Sequence, residues 1–409
     1  METNRRNIMI LFFTLVVVMM GFGMAIPVLP FYIEEFGASG SSMGLLMAIY
    51  ALMQFIFAPL WGDLSDRYGR KPILVMGILG NAIAQVLFGM ATSMSMLFIA
   101  RALAGILSSA TMPTAMAYIS DSTTEEDRGK GMGILGAAMG VGMILGPGLA
   151  GFMAKVSLGL PFFVAAAASM VALVMVVLWL PESLSAEERA THAGSSGPQF
   201  RLGNLFRDMW AALFSPIGVL LAVAFLLSFG LTNFEAIFGL YALDRYEYDS
   251  VQVGMILMFM GVISAVVQGM LTGPAIKRWG EVNVLRLAML ISAVGFVLMI
   301  IPDALIGILL TVAIFITGNS LLRPVTSALI SRRATGGQGV AMGLNNSFMS
   351  LGRIIGPTWA GFVYDSNINL PYVSGAIIMF VGLAVCIFWI RRQETVGQEV
   401  GEVEAQPAR

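Results

Sequence analysis

The sequence is poor in cysteine, histidine and charged residues. It has one cysteine (Cys386) and one histidine (His192) in 409 residues, and Asp, Glu, Lys and Arg together make up 11%. A single cysteine cannot form an internal disulfide, and a single histidine excludes a histidine-rich metal site. The net charge of −1 provides no basic surface for nucleic acid. These shortages argue against a metalloenzyme, a thiol enzyme and a nucleic-acid-binding protein, and we expect no cofactor and no metal.

Apolar residues are abundant, at 57% of the chain, and the mean hydropathy is +0.84. A helix that crosses a bilayer needs roughly 20 residues, and twelve apolar runs are bounded by charged residues and Gly/Pro clusters. The chain is therefore predicted to be an all-α membrane protein with twelve transmembrane helices. The predicted spans are 8–31, 43–61, 72–91, 96–118, 131–153, 160–180, 216–241, 251–272, 284–301, 304–330, 338–363 and 371–390. No small-residue cleavage site follows the first run, so it is interpreted as a retained helix.

Most of the basic residues lie on one side of the predicted spans. That side carries 18 of the 23 Lys and Arg residues, and cytoplasmic loops carry such an excess. Both termini are therefore predicted to be cytoplasmic. The predicted domains are 1–180, an N-terminal six-helix bundle; 181–215, a flexible cytoplasmic linker rich in Gly and Ser at 194–198; 216–392, a C-terminal six-helix bundle; and 393–409, a disordered cytoplasmic tail.

The two predicted bundles are related by a sequence repeat. At an offset of 210, eight residues of the fifth span recur in the eleventh: Gly129, Gly133, Gly142, Gly146, Pro147, Ala150, Gly151 and Phe152. At an offset of 211, the 62–69 segment matches 273–280 at three positions. Parallel repeats of six spans are typical of transporters that rock one half against the other around a site at the midplane.

A charged segment, 62–72, follows the second predicted span. It reads GDLSDRYGRKP, and we interpret it as a tight turn held by glycines that binds helix ends of the opposite half in one conformation only. The alternative is a set of solvated charges that only orient the chain. The repeat lacks the two acids, since Pro274 and Lys277 stand in their places. The residues of this predicted latch are Gly62, Asp63, Asp66, Arg67, Gly69 and Arg70.

The fifth span carries small residues four positions apart. Gly142, Gly146 and Gly151 share it with Pro147. Glycines at this spacing allow close helix packing, and the proline bends the helix. Ordinary helix packing explains the glycines as well as an antiport function does, and only a match to a known motif favours the latter.

These segments resemble a known family. The 62–72 segment matches the signature loop of the major facilitator superfamily, and the fifth span resembles the antiporter motif of its drug:proton antiporter branch. Further segments resemble the NorA and Bmr type of multidrug efflux transporter: Pro27–Pro30, Leu97–Gly105, Phe229–Gly230, Phe234–Glu235, Leu322–Pro324 and Gly343–Asn345. The resemblance implies the major facilitator fold, two pseudo-symmetric six-helix bundles, and proton-coupled export of amphipathic drugs by alternating access in the bacterial cytoplasmic membrane. The chain departs from it at Ser320, where such pumps can carry an aspartate, and at Arg353, which the family does not lead us to expect.

Ionisable groups inside spans are costly and therefore mark candidate functional sites. Glu235 is the one carboxylate clearly within a predicted span, and we expect it to carry the coupling proton and to contact cationic substrates. The alternative is a rim residue with its carboxylate in water. Phe234, Phe238 and Tyr241 form a stripe beside it that faces either lipid or an aromatic drug pocket. Arg101 either bonds carbonyls of a neighbouring helix or tunes a proton-binding carboxylate.

Other polar residues complete the predicted substrate site: Gln54, Asn319, Arg323 and Asn345. Arg323 and Arg353 require anionic partners or a water-filled cavity, and the spans show no second acid for them. Hydrogen bonds between helices account for many such polar residues. The competing functions are a selective exporter of tetracycline or of a sugar or lipid precursor, and a membrane receptor or sensor. An enzyme is disfavoured because no catalytic dyad or metal-ligand set is present. The expected partners are small-molecule drugs, protons and membrane lipid, with the protein a monomer.

Overall fold

The fold is all-α. The structure, a computed structural model, describes residues 2–185, 187, 189, 202–334 and 337–404. His192 and the 194–198 stretch lie outside the described residues. The helices of the first half are α1 (Glu2–Glu35), α2 (Gly40–Tyr68), α3 (Arg70–Gly89), α4 (Met94–Leu107), α5 (Thr111–Ser122), α6 (Glu125–Ala154) and α7 (Leu160–Trp179). The later helices are α8 (Leu202–Leu213), α9 (Gly218–Tyr246), α10 (Ser250–Val266), α11 (Thr272–Trp279), α12 (Glu281–Leu298), α13 (Leu305–Arg333), α14 (Gln338–Ser366) and α15 (Leu370–Glu404).

Eleven helical segments among the described residues are long and apolar enough to cross a membrane. They correspond to eleven of the predicted spans; α4 and α5 form one segment through a 3₁₀ turn at Ser108–Ala110, and α10 and α11 form another. The remaining predicted span, 338–363, lies in α14, which has 29 residues but is too polar to be counted with the eleven. The all-α membrane fold is thus confirmed, and twelve spans stay a prediction.

The helices extend beyond the apolar runs that predicted them. α2 continues to Tyr68, so residues 62–68 are its last two turns and the change of direction is confined to Gly69. The prediction of a turn beginning at Gly62 is therefore wrong. Hydropathy marks only the length of helix that suits hydrocarbon, whereas backbone hydrogen bonds continue the helix into the polar region.

Two segments predicted to lack structure contain helix. α8 lies inside the 181–215 segment, and α15 continues to Glu404, past position 393 where the tail was predicted to begin. The first prediction was based on polarity and the Gly/Ser stretch at 194–198, and the second on the acidic composition of the tail. Neither property excludes a helix, because Leu, Gln and Glu all have good intrinsic helix propensity.

One helix pair differs between the repeats. α2 runs without interruption over 29 residues, although Pro59 lies inside it. The equivalent segment of the second half, from Ser250 to Trp279, has 30 residues and contains a π-helical turn at Val267–Leu271.

By contacts, the described chain divides into two compact units. The first comprises Met1–Leu205, Thr232–Ala265 and Arg353–Ile368; the second comprises Phe206–Leu231, Val266–Gly352 and Asn369–Arg409. In the first unit a core of buried side chains joins α1, α3, α5, α6 and α7: Leu11, Leu15, Leu74, Tyr118, Leu135 and Val176. In the second unit α12 and α13 pack through a glycine, since a Cβ on Gly295 would lie 2.6 Å from the Cα of Phe315.

In sequence order, alternate ends of the spans form two sets. We call the set that includes Gly69 and Gly280 the basic side, because most Lys and Arg residues belong to it, and the set that includes Ser39 and Asp249 the opposite side.

Candidate functional site

The charged segment on the basic side is a cluster organised by Arg70. The Arg70 Nε donates to Asp121 Oδ2 at 2.9 Å, and its Nη1 bonds Ser65 Oγ at 2.7 Å and pairs with Asp66. The Arg70 side chain is 8% exposed and that of Asp66 is 41% exposed. The cluster therefore consists of a buried cation between two acids, of which Asp66 is open to solvent. Asp121 was not predicted, because it lies 51 positions away at the end of another span.

A second acid, Glu182, holds the same turn. Its Oε1 accepts from the backbone N–H of Arg70 at 2.8 Å, and its Oε2 accepts from that of Lys71 at 3.1 Å. These N–H groups belong to the first turn of α3, where the helix has no acceptors of its own and favours a negative charge. Glu182 was also missed; the signal available in the sequence is a carboxylate directly after the sixth span.

Of the two predicted latch glycines, only Gly69 is required by the backbone. Gly69 has φ +107°, and a Cβ there would lie 2.5 Å from Glu182 Oε2. A Cβ on Gly62 would meet nothing within 4 Å. Asp63 and Arg67 form an ion pair of their own on α2, with Nε and Oδ2 3.0 Å apart.

The glycines of the fifth span pack against α1. A Cβ on Gly142 would lie 2.6 Å from the carbonyl oxygen of Val16, and one on Gly146 would lie 2.6 Å from that of Met20. Pro147 faces Gly23 of α1, with 3.1 Å between its Cδ and a Cβ built on that glycine. The predicted close helix packing is therefore present at these residues.

A pair of glycine crossings on the opposite side is related by the repeat. A Cβ on Gly254 would lie 2.5 Å from the carbonyl oxygen of Pro147 and 3.1 Å from the Cα of Gly151. A Cβ on Gly44, which is 210 positions earlier, would overlap the carbonyl oxygen of Pro357 and lie 3.1 Å from the Cα of Gly361. Both crossings lie within the first unit, and they join α10 to α6 and α2 to α14.

Arg101 lies in an aromatic cage. The residue is 2% exposed, and its Cζ lies 5.4 Å from the ring centroids of Tyr50 and Phe88 and 5.9 Å from that of Phe22. Its Nη2 lies 3.2 Å from the sulfur of Met47. The described contacts of Arg101 are therefore with side chains. They do not include the predicted bonds to carbonyls of a neighbouring helix.

A small cavity adjoins this cage. It has a volume of about 10 Å³, and Gln85 lines it together with Arg101. The Arg101 Nε and the Gln85 Oε1 are buried without a hydrogen-bond partner among the described residues. A cavity of this size holds about one water molecule.

Glu235 is partly buried on α9 beside buried aromatic rings. Phe234 and Phe238 are 1% and 3% exposed, and their rings stack with centroids 4.8 Å apart. Tyr241 is also buried, with its ring next to the guanidinium of Arg245. The interpretation in which this stripe faces lipid is wrong, because residues facing lipid would be exposed on the protein surface.

Arg353 and Glu235 carry opposite charges. Both residues belong to the first unit. Arg353 was predicted to require an anion, but no acid was assigned to it from the sequence. α9 and α14 pack closely just before Arg353, since a Cβ on Gly352 would lie 2.5 Å from the carbonyl oxygen of Phe225.

The other predicted substrate residues are spread over both units. Gln54 is half-buried in the first unit, whereas Asn319, Arg323 and Asn345 belong to the second. Asn319 donates to the carbonyl of Leu227 and Asn345 to Ser327 Oγ, each at 3.5 Å. Both bonds join two helices, which agrees with the alternative that such polar residues serve helix packing. Arg323 is exposed. A common site for all four stays a prediction.

Comparison with known proteins gives relatives along nearly the whole chain. The chain is 33% identical to Multidrug resistance protein 2 of Bacillus subtilis (strain 168) over 381 residues, covering 93% of this chain and 94% of that protein. It is 31% identical to Multidrug resistance protein 1 of the same organism, covering 95% and 97%. It is 29% identical to the quinolone resistance protein NorA of Staphylococcus aureus (strain Mu50 / ATCC 700699), covering 93% and 96%.

Solved structures share the fold at low sequence identity. The nucleoside transporter NupG superposes with a TM-score of 0.78 at 14% identity, covering 93% of this chain and 99% of that one. The human organic anion transporter MFSD10 superposes with a TM-score of 0.69 at 22% identity, covering 94% and 99%. The sequence profile described as Major Facilitator Superfamily matches residues 11–318 and 265–409. Together with the repeated halves and the Arg70 cluster, this match shows that the chain belongs to the Major Facilitator Superfamily.

Proposed function

We propose that this protein exports amphipathic, often cationic or zwitterionic drugs across the cytoplasmic membrane of a bacterium, in exchange for protons. The observation that carries the proposal is a partly buried carboxylate, Glu235, placed beside stacked and buried aromatic rings. Aromatic faces and an acid provide for the apolar part and the charge of an organic cation. The named activities of the relatives from Bacillus subtilis and Staphylococcus aureus support the same substrate class.

Proton coupling follows from competition for one charge. The ionised Glu235 attracts a cation, and the protonated acid does not, so the drug and the proton exclude one another at this position. Arg353 belongs to the same compact unit as Glu235. A cation in that unit opposes a cationic drug, which limits the affinity of the site and helps release.

Alternating access supplies the movement. The glycine crossings on the opposite side close α2 against α14 and α6 against α10, and we assign them to the state that is closed on that side. The Arg70 cluster acts in the other state, in which the solvent-exposed Asp66 binds helix ends of the second half. The basic side is cytoplasmic in this proposal, with both termini there. The protein acts as a monomer, without a cofactor or metal, and performs transport and not catalysis.

A drug-susceptibility panel in a pump-deficient host tests the proposal. Expression of the chain should raise resistance to several structurally unrelated cationic compounds. A shift for a single compound would support the selective exporter of tetracycline or of a sugar or lipid precursor. No shift for any compound, with the protein present in the membrane, would contradict drug export and leave the receptor or sensor.

A further inference from the structure

The helix α8 before the second half has three distinct faces. Its described side chains run from Leu205 onward, and successive residues turn by about 100°. Met209 and Ala212 form a buried face, at 4% and 7% exposure. Next to it lies an exposed apolar face, and beyond that a polar face with Arg207 and Asp208. Protein thus covers about one third of the circumference of α8, while a second, apolar third is exposed. This exposed third needs another apolar contact.

The exposed apolar face consists of large side chains. Phe206, Trp210 and Phe214 are 52%, 68% and 78% exposed, and Leu213 lies between them. The rings of Trp210 and Phe214 meet edge to face, with centroids 5.7 Å apart. Spacings of four and three residues place Phe206, Trp210 and Leu213 on one side of α8, and Phe214, directly after its last residue, continues that side. Trp and Phe side chains on one face next to an Arg are typical of helices that lie in the interfacial plane of a membrane.

The position of α8 relative to a span is set by a short connection. α9 begins at Gly218, and only residues 214–217 separate it from α8. The N–H of Gly218 donates to the carbonyl of Ser215 at 2.9 Å, and a Cβ on Gly218 would overlap the carbonyl oxygen of Leu213. This tight junction holds the C-terminal end of α8 close to the start of α9.

We propose that α8 is an interfacial anchor, with Phe206, Trp210 and Phe214 inserted among the lipids of the leaflet on the basic side. The bilayer is the occupant because the exposed face is continuous with the start of a span and lies within four residues of it. Arg207 borders the aromatic face and reaches lipid phosphates, whereas Asp208 points to the aqueous side. The anchor holds the entry to the second half at a constant depth while the transporter changes conformation.

Site-directed spin labelling of the full chain in liposomes tests this proposal. The chain offers a convenient background, since Cys386 is its one cysteine and is buried in the last span. In a Cys386→Ala chain, single substitutions Phe206→Cys, Trp210→Cys and Phe214→Cys report the aromatic face. Asp208→Cys and Ala211→Cys are matched controls on the polar face of the same helix. Each label is measured for collisions with oxygen, which concentrates in lipid, and with a water-soluble nickel chelate.

The two faces should show opposite preferences for the two reagents. Oxygen collisions should exceed nickel collisions at 206, 210 and 214, and the reverse should hold at 208 and 211. Labels on the aromatic face that collide with nickel as often as those at 208 would overturn the proposal, because the face would lie in water. Labels there that are shielded from both reagents would also overturn it, because a second copy or another protein would cover the face.

A measurement without new cysteines guards against misfolded variants. Brominated lipids quench tryptophan emission at the depth of the bromine atoms, so shallowly brominated lipids should quench the wild-type chain more than the Trp210→Phe chain. Equal fractional quenching of the two chains would contradict insertion of Trp210.

Discussion

Asp365 accepts a hydrogen bond from the backbone N–H of Ser41 at 3.1 Å, although 324 positions separate the two residues. The contact places a carboxylate at the first turn of α2, where free N–H groups favour negative charge. It lies on the opposite side next to the crossing of Gly44, so a charge contact and a glycine contact join α14 to α2 there.

The repeat supplies a second contact at the equivalent place. Lys155, which is 210 positions before Asp365, forms an ion pair with Asp249 at 2.9 Å. Asp249 also accepts from the backbone N–H of Gln252 at 2.9 Å, at the start of α10. The two repeats thus use different charged groups at equivalent helix junctions: a carboxylate on a backbone N–H between α14 and α2, and an ion pair between α6 and α10.

We predict that the Asp249 contact holds the opposite side closed over the whole physiological pH range. The backbone N–H of Gln252, followed by the Lys155 ammonium, lowers the pKa of Asp249 below its ordinary value. A lowered carboxyl pKa means that the contact is present above the ordinary pKa and is lost only as the pH falls through the lowered one. Acidification from pH 8 to pH 5 should therefore leave it intact.

Labelling of a buried position measures this contact. Ser250 is buried, with its Oγ donating to the carbonyl of Gly151 at 2.9 Å, and Ser250→Cys in the Cys386→Ala chain reports opening. Asp249→Asn should raise the rate of labelling by an impermeant maleimide about 1.4- to fivefold, which corresponds to the ~0.2–1 kcal/mol of an exposed ion pair. Asp127→Asn, which removes the exposed pair with Lys130 on the basic side, is the matched control and should leave the rate unchanged. Equal rates for both variants would contradict the prediction.

We predict that Asp66→Asn abolishes drug transport while leaving membrane insertion intact. The substitution removes the charge of the solvent-exposed acid but leaves Arg70 paired with Asp121, so the first unit keeps its structure. Transport into everted vesicles and the amount of protein in the membrane are measured together. Full transport by Asp66→Asn would exclude a latch role for this residue.

We predict that Glu182→Gln lowers the stability of the protein, because Glu182 has a structural role in the same cluster. The carboxylate accepts from two N–H groups of α3, so its neutralisation should lower stability by about 1 kcal/mol, typical of a lost helix cap. Thermal unfolding of the purified protein in detergent should show a lower Tm, unlike Asp66→Asn. A lower Tm for Asp66→Asn and none for Glu182→Gln would reverse these assignments.

We predict that Gly146→Leu abolishes export whereas Gly133→Leu does not. Both residues lie on α6, but a Cβ on Gly146 would lie 2.6 Å from Met20 backbone oxygen and one on Gly133 would meet nothing within 4 Å. Added bulk at Gly146 separates two packed helices. Drug resistance of cells with matched expression is the measurement, and normal resistance with Gly146→Leu would contradict the packing argument.

We predict that Glu235→Gln uncouples drug from proton movement. In everted vesicles, drug addition to the wild type should dissipate a preformed pH gradient, and the variant should lose this effect because its side chain takes no proton. Glu34→Gln and Glu35→Gln, at the end of α1, are controls with the same chemical change. Wild-type proton release by Glu235→Gln, together with its loss in either control, would move the proton site to α1.

The sequence predicted those features that depend on a single helix. Apolar runs predicted eleven of the membrane-crossing helices, and the spacing of Gly142 and Gly146 predicted a close helix contact, since both are properties of one helix. The sequence did not predict two partners of Arg70, because Asp121 lies at the end of another span, 51 positions away, and Glu182 follows a third span, 112 positions away. The stripe of Phe234 was open to two interpretations, because an apolar helix face looks the same in sequence whether it contacts lipid or protein.

The π turn in the second half records how the two halves diverged. The repeat offset is 210 where α2 and α10 begin, at Gly40 and Ser250, and 211 where α2 and α11 end, at Tyr68 and Trp279. The second copy is therefore one residue longer than the first, and its π turn lies at Val267–Leu271. In a regular α-helix one extra residue rotates every later side chain by about 100°. A π turn takes up such a residue locally, so both ends of the segment can present equivalent faces in the two repeats although their lengths differ.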